Sequence, residues 1–168
     1  MHALIHTIQQ KIRCKAGQLA YNSPLYNWSL GGTIPRGLTF SPCDLWAGNV
    51  DNARWLINSG TFTIESDHLE LSNSNWHPVD VDMKWIEHIH GFDWLRDLRA
   101  LGGDQGRKAA RLMIQDWINE HQNWHGTYWR SDILGHRLSN WIAGYDFFGE
   151  SADEEFQELF LESIVRQL

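Results

Sequence analysis

The polar side chain with the most unusual position in this sequence is Arg137. It lies on the apolar stripe of a predicted helix over residues 132–148. A guanidinium group in that position must be paired or must face a cavity, because an isolated buried charge is unstable. An ion pair is the favoured interpretation, since buried charges are normally paired. The candidate partners are Asp93, Asp97 and Asp116.

Further polar and aromatic residues lie close to Arg137 in the sequence. Asn140 follows Arg137 by almost one helical turn, and an aromatic loop over residues 123–129 precedes the helix. A guanidinium beside amide and aromatic groups is suited to binding an anionic sugar. The alternative to the ion pair is therefore a polar rim for such a ligand. The candidate substrate-binding residues are His125, Tyr128, Trp129, Arg130, Arg137 and Asn140.

The sequence offers no set of metal ligands and no cofactor fingerprint. His88 and His90 diverge by about 200° on a helix, so they cannot bind one ion together. Phosphate-loop, dinucleotide, GxSxG, HExxH and CxxC motifs are absent, and Cys14 and Cys43 lack metal-ligand spacing. We therefore predict no metal and no cofactor. We expect one of the two histidines to be hydrogen-bonded in the core and the other to face solvent.

Composition restricts the class of partner. The 168 residues are enough for one domain with a core, and the formal net charge is -7, with 14 basic and 21 acidic residues. This balance argues against nucleic acid and gives no basic membrane patch. No signal peptide or membrane span is visible, which predicts a cytoplasmic protein, or a periplasmic one if residue 1 is not the native start.

Ten tryptophans are the most unusual feature of the composition. They suit either a packed core or a cleft whose aromatic faces stack on sugar rings. We favour the core, since buried aromatic side chains dominate core energetics.

The N-terminal segment of the chain, residues 1–81, is predicted to be rich in loops. Apolar spacing favours a short helix over residues 3–14, and Pro and Gly residues punctuate residues 22–43, with a short strand at 38–40. A helix over residues 51–59 ends at Gly60. Alternation of apolar and polar residues over 61–65 and 68–71 predicts a small β-hairpin.

The C-terminal segment, residues 82–168, is predicted to be helical throughout. One long helix covers residues 82–101, and Gly102 and Gly103 end it. Asp104 is the expected N-cap of a helix over 105–121, and a helix over 132–148 follows. The pattern Ser151-Ala-Asp-Glu154 predicts the start of a fourth helix, which runs to the last residue. Short loops make consecutive helices antiparallel hairpins, so the fold class is mainly α with a small hairpin.

The last helix has an apolar face formed by Phe156, Phe160 and Ile164. Such a face is rarely left open on a soluble monomer. One prediction is a homodimer through residues 132–168, with Tyr145 and Phe148 contributing. The alternative is that this face packs within the chain and leaves its glutamates in solvent.

Five pieces of sequence carry a family resemblance. They are residues 42–48 (PCDLWAG), 60–62 (GTF), 90–103 (HGFDWLRDLRALGG), 117–118 (WI) and 129–142 (WRSDILGHRLSNWI). In this order they resemble the N-terminal region of heparinase II/III-like proteins, in particular the alphaproteobacterial members. The resemblance runs from about residue 20 to the end of the chain.

The resemblance implies the beginning of an incomplete (α/α) toroid from a polysaccharide lyase. Such enzymes break uronic-acid polysaccharides by β-elimination, with general acid–base catalysis and charge neutralisation. The family's catalytic residues lie beyond the matched region, so we expect this chain to lack activity alone and to represent a truncated or divided protein. An acidic polysaccharide is the implied ligand. The alternative is a non-catalytic helical scaffold module that binds carbohydrate or protein.

Overall fold

A computed structural model describes residues 20–21, 23–71 and 76–168 of the chain. The described portion is mainly helical with one two-stranded antiparallel sheet, as the sequence predicts at this level of detail. The elements are α1 (Pro24–Ser29), α2 (Val50–Ser59), β1 (Thr61–Ile64), β2 (Asp67–Glu70), α3 (Met83–Gly91), α4 (Leu95–Leu101), α5 (Gly103–His121), α6 (Ser131–Phe148) and α7 (Glu154–Gln167).

The predicted helix at residues 51–59 and the predicted hairpin are both confirmed. Asn49 accepts hydrogen bonds from two backbone amides at the start of α2, and Gly60 ends this helix in the left-handed conformation with φ 65°. The hairpin pairs Thr61 with Glu70 and Ile64 with Asp67 across a two-residue turn. The strand β1 is buried on the core, whereas β2 is mostly exposed.

The prediction of one helix over residues 82–101 is wrong. Phe92 adopts a left-handed conformation with φ 63°, which ends α3 and separates it from α4. Bulky residues rarely adopt this conformation, so the surrounding packing must maintain it. The Phe92 ring is fully buried and lies against Trp94, Trp117 and Trp141. The apolar periodicity therefore predicted correctly that the Phe92 ring is buried. It predicted incorrectly that one helix continues through this residue.

Three smaller predictions about helix ends and loops also need correction. The helix α5 is capped at Gly102 rather than at Asp104, and α7 is capped by Asp153 rather than by Ser151. The Asp153 side chain accepts a hydrogen bond from the Phe156 amide at 2.9 Å. Residues 38–40 form no strand. The predicted helix over residues 3–14 lies outside the described residues.

The main hydrophobic core joins the N-terminal and C-terminal segments of the chain. Ala53, Leu56 and Phe62 from the N-terminal segment pack in one cluster with buried residues of α3 to α7. A smaller cluster consists of Ile86, Tyr128, Trp129 and Ile133. The division into residues 1–81 and 82–168 stays a prediction.

The predicted homodimer through the α6–α7 region rests on a face that is not available. Phe156, Phe160 and Ile164 are buried against α5 and α6 of the same chain, with at most 5% of their surface exposed. Tyr145 and Phe148 are buried as well. An amphipathic helix that is covered within the chain leaves no apolar strip for a second copy, so the reason given for the homodimer is wrong. The exposed side of α7 carries Glu154, Glu155, Glu158 and Glu162.

Within the ranges that the structure describes, no helix combines the length and the apolar character needed to cross a lipid bilayer.

The break at Phe92 generates a test of how the core is organised. Replacing Phe92 with Ala removes a fully buried ring, and large-to-small aromatic substitutions in cores lower the free energy of unfolding by about 3–5 kcal/mol. We expect a loss of this size in urea unfolding followed by tryptophan fluorescence. The matched control is Phe40→Ala, because the Phe40 ring is 74% exposed and its loss should change stability by less than about 0.5 kcal/mol. Equal effects of the two variants would show that Phe92 does not hold the core together.

Candidate functional site

Arg137 lies at the centre of the buried polar groups. Its side chain is fully buried on α6 and forms no ion pair with any acidic residue that the structure describes. The guanidinium instead donates to the Gln167 side chain at 2.7 Å and to the carbonyls of His90 and Tyr128 at 3.0 and 2.9 Å. It also stacks over the Trp117 ring at 4.3 Å. The predicted ion pair with Asp93, Asp97 or Asp116 is therefore wrong.

These contacts explain how a charge is tolerated in the core. Two carbonyl dipoles, one amide oxygen and one aromatic face replace the carboxylate that normally neutralises a buried guanidinium. Burial nevertheless lowers the pKa of Arg137 to about 9. The contacts join α6 to the end of α3, to the loop before α6 and to α7. Arg137 consequently has a structural role in the fold.

Asn140 has a similar structural role, almost one turn further along α6. Its amide nitrogen donates to the Gly91 carbonyl at 2.8 Å and to the Asp93 carboxylate at 3.0 Å. Its amide oxygen accepts a hydrogen bond from Arg96 at 3.0 Å. Asn140 thus connects α6 to the break between α3 and α4.

The other predicted binding residues occupy different environments. Tyr128 and Trp129 are buried, and the Trp129 indole donates to the His121 carbonyl at 3.2 Å. His125 is exposed and stacks on the Tyr128 ring at 4.3 Å. Arg130 forms an ion pair with Asp132 at the surface. The structure therefore brings His125, Tyr128 and Arg137 together. Arg130 instead pairs with Asp132, and Asn140 bonds to the end of α3.

A group of rings that the sequence did not predict lies around Tyr128. We call the residues His77, His90, His121 and Tyr128 the histidine–tyrosine cluster. The Tyr128 ring stacks on His90 at 3.7 Å, and its hydroxyl lies 2.8 Å from Nδ1 of His77. The His121 ring lies 4.9 Å from His77 and 5.4 Å from His90. No spacing rule connects these residues, because they come from separate segments of the chain.

Burial keeps two of these histidines neutral. It lowers the pKa of His90 to about 2 and that of His121 to about 4, and the positive charge of Arg137 contributes in the same direction. Burial also raises the pKa of the Tyr128 hydroxyl, with a smaller effect from Glu120. The Trp117 indole donates to Nδ1 of His90 at 3.0 Å, so the remaining proton of this neutral ring is on Nε2.

The prediction for His88 and His90 is only partly right. His90 is fully buried and hydrogen-bonded, as expected for the core histidine. The side chain of His88 is just 16% exposed, and its Nδ1 lies 4.0 Å from the Asp93 carboxylate. Burial lowers the pKa of His88 as well. His88 therefore does not face solvent as the other histidine was expected to do.

The segment before α2 forms a second distinctive surface. Asp44 is almost buried and accepts a hydrogen bond from Arg96 Nε at 2.6 Å. Arg99 donates to the backbone carbonyls of Asp44 and Trp46 at 3.0 and 3.2 Å. Burial of Asp44 acts to raise its pKa, but the bonds and charges of the arginines leave it lowered overall.

Two large apolar side chains project from this fixed backbone. Leu45 is 90% exposed and Trp46 is 74% exposed. The backbone lies so close to α4 that a Cβ atom on Gly48 would overlap the Arg96 carbonyl group, so only glycine fits there. We call residues 44–48 the anchored loop. Its hydrogen bonds hold the backbone, while its apolar side chains remain in solvent.

Comparison with known proteins adds a relative. The chain is 32% identical over 138 residues to the protein named FtsZ-localized protein C of Caulobacter vibrioides. The matched region makes up 79% of this chain and 23% of the relative, so the chain spans about a quarter of that protein's length. No protein-family model matches the chain, and no solved structure matches it.

This similarity corrects the identification made from sequence motifs. The relative that the comparison finds is an FtsZ-localized protein, so the identification as a portion of a heparinase II/III-like polysaccharide lyase is wrong. The acidic polysaccharide as a partner and the carbohydrate-binding module lose their support for the same reason. The assignment of His125, Tyr128, Trp129, Arg130, Arg137 and Asn140 to substrate binding is not tested by this similarity and stays a prediction.

The neutral state of His90 predicts a pH dependence of stability. The pKa of about 2 in the folded state lies below the usual value near 6.5, so unfolding takes up a proton at intermediate pH. The stability that neutral His90 contributes is thus fully present above pH 6.5 and is lost as the pH falls from there towards the folded pKa of about 2. Between pH 7 and pH 5 we expect His90 alone to lower the free energy of unfolding by about 2 kcal/mol.

The variant His90→Asn isolates this contribution, because the Asn side-chain oxygen can accept the Trp117 hydrogen bond and does not titrate. Urea unfolding at several pH values in chelator-treated buffer should give a flatter pH dependence for this variant than for the unchanged chain. Parallel curves would contradict the assignment of a neutral, buried His90.

Proposed function

We propose that this chain is a protein-binding module of a protein that localises with the cell-division protein FtsZ. The observation that carries the proposal is the 32% identity to FtsZ-localized protein C over most of this chain. The matched region is a quarter of that relative, so the proposal concerns this module and its contribution to localisation. A module that contributes to localisation needs a surface that recognises another protein.

The anchored loop is the surface that fits this requirement best. Isolated apolar residues are common on protein surfaces, but Leu45 and Trp46 are adjacent and project from a backbone that Arg96 and Arg99 hold in place. Tryptophan is among the residues that contribute most to binding energy at protein interfaces. A backbone that is ordered before binding also loses less conformational entropy when the partner binds.

The polar contacts beneath the loop support the same interpretation. Asp97 accepts a hydrogen bond from the Asn49 amide at 2.7 Å, which fixes the end of the loop where α2 begins. The hydrogen bonds from Arg96 and Arg99 fix its other end through Asp44. A loop that only connects two elements would not need three side chains of α4 to position it. We therefore propose Leu45 and Trp46 as the contact residues for an apolar pocket or groove on the partner protein.

Two finer predictions from the sequence remain proposals. One is that α5, α6 and α7, which contact one another, are part of an (α/α) toroid arrangement. The other is a cytoplasmic location, which the experiment below examines directly.

The proposal is tested by expressing the chain as a fluorescent fusion in Caulobacter vibrioides cells that also carry labelled FtsZ. We expect the fusion to overlap with FtsZ and to disperse when FtsZ is depleted. The double variant Leu45→Ala/Trp46→Ala should disperse the fusion while FtsZ itself stays in place, because the variant removes the exposed apolar contacts alone.

The chain offers a matched control for this variant. Leu25 and Trp28 on α1 are also one leucine and one tryptophan, and they are 77% and 82% exposed. The variant Leu25→Ala/Trp28→Ala removes the same atoms from a different surface, so it should leave the overlap unchanged. Circular dichroism should show that both double variants fold. Overlap that survives at the level of the control variant would rule out the anchored loop, and a dispersed fusion of the unchanged chain would contradict the function itself.

A further inference from the structure

Three potential metal ligands meet at the edge of the histidine–tyrosine cluster. His77 precedes α3, whereas Glu120 and His121 are the last two residues of α5. One donor atom from each of these residues lies within 4.8 Å of the other two. The closest pair is Nε2 of His77 and Oε1 of Glu120, which are 2.8 Å apart. Two imidazoles and one carboxylate thus come together although the sequence gives them no motif spacing.

The hydrogen bonds of His121 orient it as a ligand. Its Nδ1 lies 3.3 Å from the Trp117 carbonyl, which can only accept, so Nδ1 carries the proton of the neutral ring. The lone pair is therefore on Nε2. This nitrogen is buried and has no hydrogen-bond partner among the described residues. A histidine whose second ring nitrogen donates to a carbonyl is the usual arrangement around bound metal ions.

The Nδ1 atom of His77 also has a polar contact that can orient the ring. Its Nδ1 lies 2.8 Å from the Tyr128 hydroxyl, which can donate to this nitrogen or accept from it. In the described structure the Glu120 carboxylate accepts the Nε2 proton of His77. A metal ion at Nε2 would move this proton to Nδ1, from which it would be donated to Tyr128. The ring changes tautomer in this step and its net charge stays the same.

From this geometry we propose that His77, Glu120 and His121 bind a divalent transition-metal ion of the Zn²⁺ class. Bond lengths near 2 Å place tetrahedral ligand atoms about 3.3 Å apart, so the longest separation must close by more than about 1 Å. The side chains of His77 and Glu120 are 48% and 37% exposed and have room to move, whereas the buried His121 stays fixed.

The type of donor atom determines the class of metal ion. Calcium and magnesium ions prefer oxygen ligands alone, whereas a set of two imidazole nitrogens and one carboxylate suits zinc and its transition-metal neighbours. The negative charge of the Glu120 carboxylate favours the binding of a cation, whereas the positive charge of Arg137 disfavours it. Three protein ligands leave a fourth position for water.

Metal binding would connect two separate segments of the chain. His77 belongs to the segment between the hairpin and α3, and the other two ligands end α5. The Trp76 indole already donates to Asp116 on α5 at 3.0 Å, so the ion would add a second connection next to an existing one. An ion that binds the folded state alone raises the melting temperature. This inference does not depend on any association with FtsZ.

The test is titration of the purified chain with Zn²⁺ by calorimetry after removal of metal with a chelator. We expect one tight site and a rise in melting temperature when Zn²⁺ is added. Co²⁺ bound at the same site should give the visible absorption of a four-coordinate nitrogen and oxygen environment. The variants His77→Gln and Glu120→Gln should each weaken Zn²⁺ binding by at least about tenfold. Tyr128→Phe should weaken it as well, because it removes the hydrogen bond that orients His77.

Matched controls separate this site from other histidines and glutamates. His136 is 70% exposed on α6 and Glu158 is exposed on α7, so His136→Gln and Glu158→Gln should bind Zn²⁺ as the unchanged chain does. The proposal is overturned if the unchanged chain binds Zn²⁺ no more tightly than the double variant His77→Gln/Glu120→Gln. It is also overturned if the control variants weaken binding as much as the ligand variants.

Discussion

The burial of Arg137 is the constraint on which the arrangement of the helices depends most. A guanidinium inside a core needs acceptors for its N–H groups, and here the acceptors of Nε and Nη1 belong to three other segments of the chain. The carbonyl of His90 lies at the end of α3, that of Tyr128 lies before α6, and Gln167 ends α7. Because one rigid, planar group binds all three, a shift of any segment would leave a buried polar group without its partner.

The ring cluster next to Arg137 follows from the same arrangement. Bringing the end of α3 to Arg137 places His90 against Tyr128 and directs the Trp117 indole at its Nδ1. The positive charge of Arg137 and the lack of solvent both favour neutral imidazoles there. At the edge of the cluster His77 and Glu120 reach solvent, so a ligand can approach the cluster from this side. The core and the proposed metal site are therefore continuous.

In the anchored loop, charged side chains fix a backbone segment rather than join helices in the core. Arg96 and Arg99 hold Asp44 and the backbone around it, and this fixes a segment that has no regular secondary structure. The ion pairs are mostly shielded from water, so they are stronger than pairs on an open surface. They position Trp46 without covering it. This separation between a bonded backbone and exposed apolar side chains is what distinguishes the loop from an ordinary connection.

The sequence by itself determined that the described chain is mainly helical with one small hairpin, and it located the helices at 51–59, 105–121 and 132–148 to within a few residues. Six of the ten tryptophans are buried, as favoured from composition. These features follow from local backbone geometry, because a period of 3.6 or 2 residues appears directly in the order of side chains. The motif resemblance failed because short motifs do not identify a family without the context around them.

Only the tertiary structure decided the break at Phe92, the partners of Arg137 and the meeting of His77 with Glu120 and His121. Each of these depends on contacts between residues that are distant in the sequence. An apolar period continues through Phe92, and only the surrounding rings hold that residue in a left-handed conformation. In the same way, a buried guanidinium can be satisfied by carboxylates or by carbonyls. The packing of the helices determines which of these acceptors lies within reach.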